Sequence, residues 1–114
     1  MEALEFFKGN KNKFCFASNH FNGKRYALAF VKRLYKLGAK NVEVSNILDE
    51  DWRLKEEGGP YADTFIVTLP KDKSKRLNLV AEIFEERPDE VSSRPGYIKK
   101  VDWNEDDTVS LWWD

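Results

Sequence analysis

The sequence predicts an α+β fold in which amphipathic helices cover an antiparallel sheet. Three observations carry that expectation. Ala27, Phe30, Val31 and Leu34 recur at i, i+3, i+4 and i+7, the spacing of one helical face. Asn41 to Ser45 alternates apolar and polar side chains, as a strand with one wet face does. Thr64 to Leu69 is β-branched and aromatic apart from its last residue, and Pro70 stops it. The chain has 114 residues and is 41% hydrophobic, with four Trp, four Tyr and eight Phe. That is enough for one core, so residues 1–114 are expected to form a single domain.

Taken in order, Ala3 to Phe7 reads as a short helical turn and Lys8 to Lys13 as a loop. Phe14-Cys15-Phe16-Ala17 alternates bulky and small residues, the pattern of a first strand. Asn22 precedes Gly23-Lys24-Arg25 ahead of the amphipathic helix, and Leu37 and Gly38 close it. Val42 and Val44 then face one way in a second strand. Residues 46–63 form a polar connection ending in Gly58-Gly59-Pro60, a turn into the strand at Thr64.

Asp72 is placed to cap a second helix with an apolar stripe of Leu77, Val80, Ala81 and Phe84, and Pro88 ends it near Arg87. Pro95-Gly96 and Asn104 to Asp107 read as turns, leaving Tyr97 to Trp103 to pair with Thr108 to Trp113 as a hairpin. The order β, α, β, β, α, β plus a late strand is that of a ferredoxin-like sandwich, with two helices on one face of an antiparallel sheet and an additional C-terminal strand. That architecture serves many unrelated activities and selects none.

Side-chain alternation sorts the sheet into two faces. Phe14, Phe16, Val42, Val44, Phe65, Val67, Leu69, Val109, Leu111 and Trp113 are expected to be covered. Cys15, Ala17, Glu43, Ser45, Thr64, Ile66, Thr68, Ser110 and Trp112 should lie on the open face. Among these, Trp112, with Trp103 and Tyr97, offers aromatic anchors for a partner. The two strands expected at the centre, 14–17 and 64–69, place no aromatic on the open face, which disfavours stacking of RNA bases there.

The charges balance overall, 19 Lys and Arg against 20 Asp and Glu, but not along the chain. Met1 to Val42 holds nine basic and two acidic residues, a net of plus 7; Glu43 to Asp114 holds ten basic and 18 acidic, a net of minus 8. Arg25, Lys32, Arg33 and Lys36 fall opposite the apolar stripe of the first helix and form a basic strip. The acidic residues cluster in Asp49-Glu50-Asp51, Glu56-Glu57, Glu85-Glu86, Asp89-Glu90 and Glu105-Asp106-Asp107, without the spacing of a calcium-binding loop. No metal site and no cofactor is expected.

Catalytic constellations are absent from the sequence. There is no phosphate-binding glycine loop, no paired-cysteine motif and no zinc-protease motif. Cys15 and His20 are the single cysteine and histidine, and a small buried thiol beside a loop histidine accounts for them. One cysteine forms no internal disulfide, which points to a reducing, cytoplasmic setting. With no apolar run of about 20 residues and no basic residue in Met1 to Glu5, neither a transmembrane helix, a signal peptide nor a membrane partner is expected.

The leading expectation is thus a non-enzymatic protein-binding domain, a regulator, inhibitor or immunity-type partner that also has the means to self-associate. It would use opposed charge surfaces and a Trp-rich C-terminal strand, with Tyr97, Trp103, Trp112, Arg25, Lys32, Arg33 and Lys36 as contacts. The second is nucleic-acid binding through the basic face of the first helix, joined by Lys24. The third is a small-anion site or an enzyme at the Asn19 to Arg25 loop, using Asn22, Gly23, Lys24 and Arg25.

Overall fold

The computed structural model describes residues 1–93, 96–97 and 108–113. Within them lie helices α1 (Ala3–Phe7), α2 (Lys24–Lys36), α3 (Asp51–Glu56) and α4 (Lys73–Glu85). The strands are β1 (Asn41–Ser45), β2 (Thr64–Thr68), β3 (Glu90–Ser93), β4 (Gly96–Tyr97) and β5 (Thr108–Trp112). The fold is α+β. Four antiparallel strands of four or five residues lie in the order β1-β2-β5-β3, and the two-residue β4 pairs beyond β3.

This order departs from the expected one at two places. The segment 14–17 is not a strand: its strand-like pairing is an isolated bridge in which the Ala17 amide donates to the Ala62 carbonyl and the Ala62 amide donates to that of Cys15, both at 2.9 Å. Second, β5 is flanked on both sides, with Phe65 opposite Leu111 in β2 and Val91 opposite Leu111 in β3. The expected pairing of Tyr97 to Trp103 against Thr108 to Trp113 therefore gives way to pairing with β2 and β3. Residues 98–107, with Trp103 and the turn at Asn104, lie outside the described residues, as does Pro95.

Helix α2 forms for the reasons its sequence suggests. Ala27, Phe30, Val31 and Leu34 are all buried. Gly38, at φ +111°, lets the chain leave the helix; its amide donates to the Tyr35 carbonyl and the Ala39 amide to that of Leu34, both at 3.0 Å. Asn22 does not cap the start: Gly23 occupies that position, with no side-chain bond.

Helix α4 begins at Asp72, whose carboxylate accepts from the Lys75 amide at 2.9 Å. Its buried face is Arg76, Leu79, Val80 and Ile83, and of the expected stripe Leu77, Ala81 and Phe84 are exposed. The stem of Arg76 occupies the first core position and its guanidinium donates to the Pro70 carbonyl at 3.2 Å, so an arginine does what the apolar count assigned to a leucine. Helix α3 falls inside the stretch expected to be a plain connection.

The core is one cluster in which the buried residues of α1, α2 and α4 meet Val42, Val44, Phe65, Val67, Val91, Val109 and Leu111 from the sheet. Its densest part is aromatic. Phe16 stacks on Phe65 with centroids 3.8 Å apart, and Trp113 packs edge-on against Phe16, Phe30 and Phe65. Nine of the ten side chains expected to be covered are buried, six of them on the strands and Phe16, Leu69 and Trp113 off them, and Phe14 is exposed. Cys15, Ala17 and Thr64, expected on the open face, are buried.

At its outer edge β1 is closed by the start of the chain. The Val44 amide donates to the Met1 carbonyl at 2.7 Å and the Val42 amide to the Tyr35 hydroxyl at 3.0 Å, which in turn donates to the Glu2 carboxylate at 2.6 Å. Burial raises the Glu2 carboxyl, but this hydroxyl and the amides of Leu4, Glu5 and Ala3 together hold it below the ordinary value. That edge has no free row of amides to offer another strand.

Candidate functional site

The surface with the most to offer a ligand is built on the loop between α1 and α2. Asn10 and Asn12 are buried and act as internal splints. The Asn12 amide donates to Asn10 Oδ1 at 3.0 Å and the Phe14 amide to Asn12 Oδ1 at 3.0 Å, two consecutive side-chain turns. Asn10 Nδ2 donates to the Pro60 carbonyl at 3.2 Å and Asn12 Nδ2 to Glu57 Oε2 at 3.3 Å, which ties the loop to the end of α3. The Lys24 ammonium donates to the Asn10 carbonyl and the Lys24 amide to the Lys13 carbonyl, both at 2.7 Å, which ties it to the start of α2.

The turns swing Phe14 outward, leaving it 53% exposed on a loop held from both sides. Phe14, Lys11 and Lys13 form a ridge between two clefts. The larger, about 590 Å³, is also lined by Ser18, Leu48, Arg53, Glu57 and Tyr61. Arg53 is fixed there by Glu50 at 3.2 Å and Glu57 at 3.1 Å, and its guanidinium lies 4.6 Å from the centroid of Trp52 and 5.7 Å from that of Tyr61. These carboxylates keep Arg53 charged, and Arg53 holds Glu50 below the ordinary carboxylate value. Leu48 and Trp52 are exposed beside it.

The second cleft, about 490 Å³, is lined by Asn22, Gly23, Lys24, Arg25, Asn10 and Leu28 together with the ridge. All four residues expected to hold an anion are thus brought together. Among the described residues no acidic side chain lines this cleft. Both volumes lie in the range of ligand sites, roughly 300 to 1,000 Å³.

The other expected contacts are dispersed. Lys32 and Lys36 are exposed on α2, but Arg33 is engaged across the two helices, bonding Glu82 at 2.7 Å and Glu86 at 3.1 Å on α4. Trp112 is half-buried on a central strand, and its indole donates to Asp63 Oδ2 at 3.2 Å. It is therefore not an anchor on a free edge strand. Tyr97 is placed by its backbone on β4, at the far end of the sheet from β1, and Trp103 lies outside the described residues.

His20 and Cys15 are committed to different neighbours. His20 Nε2 meets Glu86 Oε1 at 2.9 Å and its ring stacks on Trp113 with centroids 5.7 Å apart. Cys15 is fully buried, and burial pushes its thiol up to about 11 despite the nearby Lys24 charge. Such a thiol is neutral and a poor nucleophile at neutral pH. Among the described residues, no three of His, Cys, Asp and Glu gather as metal ligands, and no helix is long and apolar enough to cross a membrane.

Reading the sequence alone misses Phe14, assigning it to the core. The signal that locates it is Asn10-x-Asn12-x, since each asparagine is placed to bond the amide two residues on and so to turn the chain rather than extend it. Comparison with protein-family models, curated proteins and solved structures gave no match.

Proposed function

We propose that the protein is a non-enzymatic protein-binding module that docks another polypeptide, or a second copy of itself, on the ridge of Lys11, Lys13 and Phe14. The observation that carries this reading is Phe14, a large apolar ring exposed on a loop pinned from within by the Asn10 and Asn12 side chains. Displaying it costs hydrophobic free energy that a partner recovers on covering it. A rigid aromatic also loses little entropy on binding.

The surroundings favour a protein partner. Leu48, Tyr61 and Arg53 line the cleft beside the ring and Trp52 lies against Arg53, a set rich in the aromatic and arginine side chains that dominate interface energetics, with Lys11, Lys13 and Glu57 around them as polar groups. Acidic residues of α3 beside the basic loop make the surface bipolar, which suits a protein of matching pattern better than a uniformly anionic polymer. The lone cysteine supports a cytoplasmic setting.

The test is capture on immobilised protein, wild type against Phe14→Ala. A partner held by the wild type should be lost by about 30-fold in affinity, the effect of removing a strong interface anchor. Equal retention of every captured protein by both forms would contradict the reading.

Nucleic-acid binding is the second reading, favoured by the cleft of Lys11, Lys13, Lys24 and Arg25 and by the lack of any acidic residue between Phe6 and Val42. It requires an affinity for oligonucleotides that falls steeply with salt.

A further inference from the structure

The two flanks of the Phe14 ridge differ in charge, and the difference specifies the chemistry of what sits there. On the α3 side Glu57 lines the cleft and Arg53 is already satisfied by Glu50 and Glu57. On the α2 side four cations, Lys11, Lys13, Lys24 and Arg25, line the cleft with the apolar side chains of Phe14 and Leu28, and among the described residues no carboxylate lines it. Among the described residues Lys11 and Lys13 have no ion pair, and the Lys24 ammonium donates one bond, to a backbone carbonyl, leaving two hydrogens for a ligand. Arg25 bonds the Tyr26 hydroxyl at 2.9 Å, a neutral partner that leaves its charge uncompensated.

From this we infer that the partner enters the α2-side cleft with an acidic segment that also carries a bulky apolar side chain. The apolar group covers Phe14 and Leu28, and carboxylates on either side of it meet Lys11, Lys13 and Arg25. Both components are needed. A purely acidic segment would leave the Phe14 and Leu28 surface wet, and a purely apolar one would remove water from four cations with nothing to replace it. The inference rests on the docking role of the Phe14 ridge and adds the chemical class of what docks.

The probe is a short fluorescently labelled peptide of Asp and Phe in a Gly and Ser background, titrated with the protein and followed by anisotropy. Two control peptides replace every Asp by Asn or every Phe by Ala, and oligo(dT) is the fourth probe. The Asp and Phe peptide should bind, and each control should bind about tenfold more weakly, the loss of one modest contact class. The double variant Lys11→Glu and Lys13→Glu should lose the peptide, whereas Lys73→Glu, an exposed charge on α4, should not. Equal binding of all three peptides, no binding of any, or tighter binding of oligo(dT) with the same lysine dependence would overturn the inference, the last in favour of nucleic acid. If Phe14→Ala loses the captured partner while the peptides do not discriminate, the docking role stands and the acidic class falls. If the peptides discriminate while capture ignores Phe14, the cleft stands and the docking role falls.

Discussion

Phe14 and Cys15 are neighbours with opposite fates, and the difference lies in two asparagines. Buried Asn10 and Asn12 each bond the amide two residues ahead, so the chain turns at Phe14 and then runs inward, burying Cys15, Phe16 and Ala17 in succession. A strand would have alternated. The bulky and small pattern of these four residues resembles alternation but is the record of a turn entering the core. Thiol chemistry follows from the same geometry. With its pKa pushed up to about 11, Cys15 is thiolate in roughly one molecule in a thousand at pH 8. Native protein should resist iodoacetamide at that pH while unfolded protein reacts fully, as mass spectrometry would read. Rapid labelling of the native state would place the thiol at the surface.

Helix α4 shows what an apolar count cannot decide. Apolar residues at 77, 79, 80, 81, 83 and 84 fit two helical faces equally, one through Leu77 and Phe84 and one through Leu79 and Ile83. The protein buries the second because Arg76, at the head of that face, lays its stem on the core and bonds the Pro70 carbonyl. Helix α2 had no such ambiguity, and its stripe and its close at Leu37 and Gly38 were both legible. The two faces of α4 are separable by mutation. Leu79→Ala, at a fully buried site, should cost about 2 to 5 kcal/mol in denaturant unfolding, and Leu77→Ala, 55% exposed, within about 0.5 kcal/mol. Comparable losses at both would mean the helix is turned.

The loop 57–60 has an equally specific dependence. A Cβ at Gly59 would overlap the Asn10 carboxamide, which is buried and already bonded to Pro60 and to the Asn12 amide and so has no room to yield. Gly59→Ala should therefore destabilise the fold by about 1 to 3 kcal/mol and weaken any ligand of the Phe14 ridge. Unchanged stability by thermal denaturation would show that Asn10 is not held as described.

At the scale of the whole molecule, the division of charge at Val42 was plain in the sequence, but its arrangement in space was not. Arg33 of the basic half reaches Glu82 and Glu86 of the acidic half, so at that point the two halves interleave. Only contact between elements far apart in sequence decides this. The same holds for β5, expected as one half of a hairpin with Tyr97 to Trp103 and paired instead on both sides, by β2 and β3. Among the described residues the cations of the α2-side cleft have no carboxylate partner, and there the acid-free stretch of the sequence folds back on itself around Phe14.

Phe14 serves binding only if its ring is displayed for a partner. The direct measurement is the affinity of Phe14→Ala for a captured partner by isothermal titration, alongside the unfolding free energy of the same variant. An exposed ring that serves binding should lose about 2 kcal/mol of affinity while stability changes by no more than about 0.5 kcal/mol. Unchanged affinity, or a loss of stability as large as that of a buried phenylalanine, would contradict it.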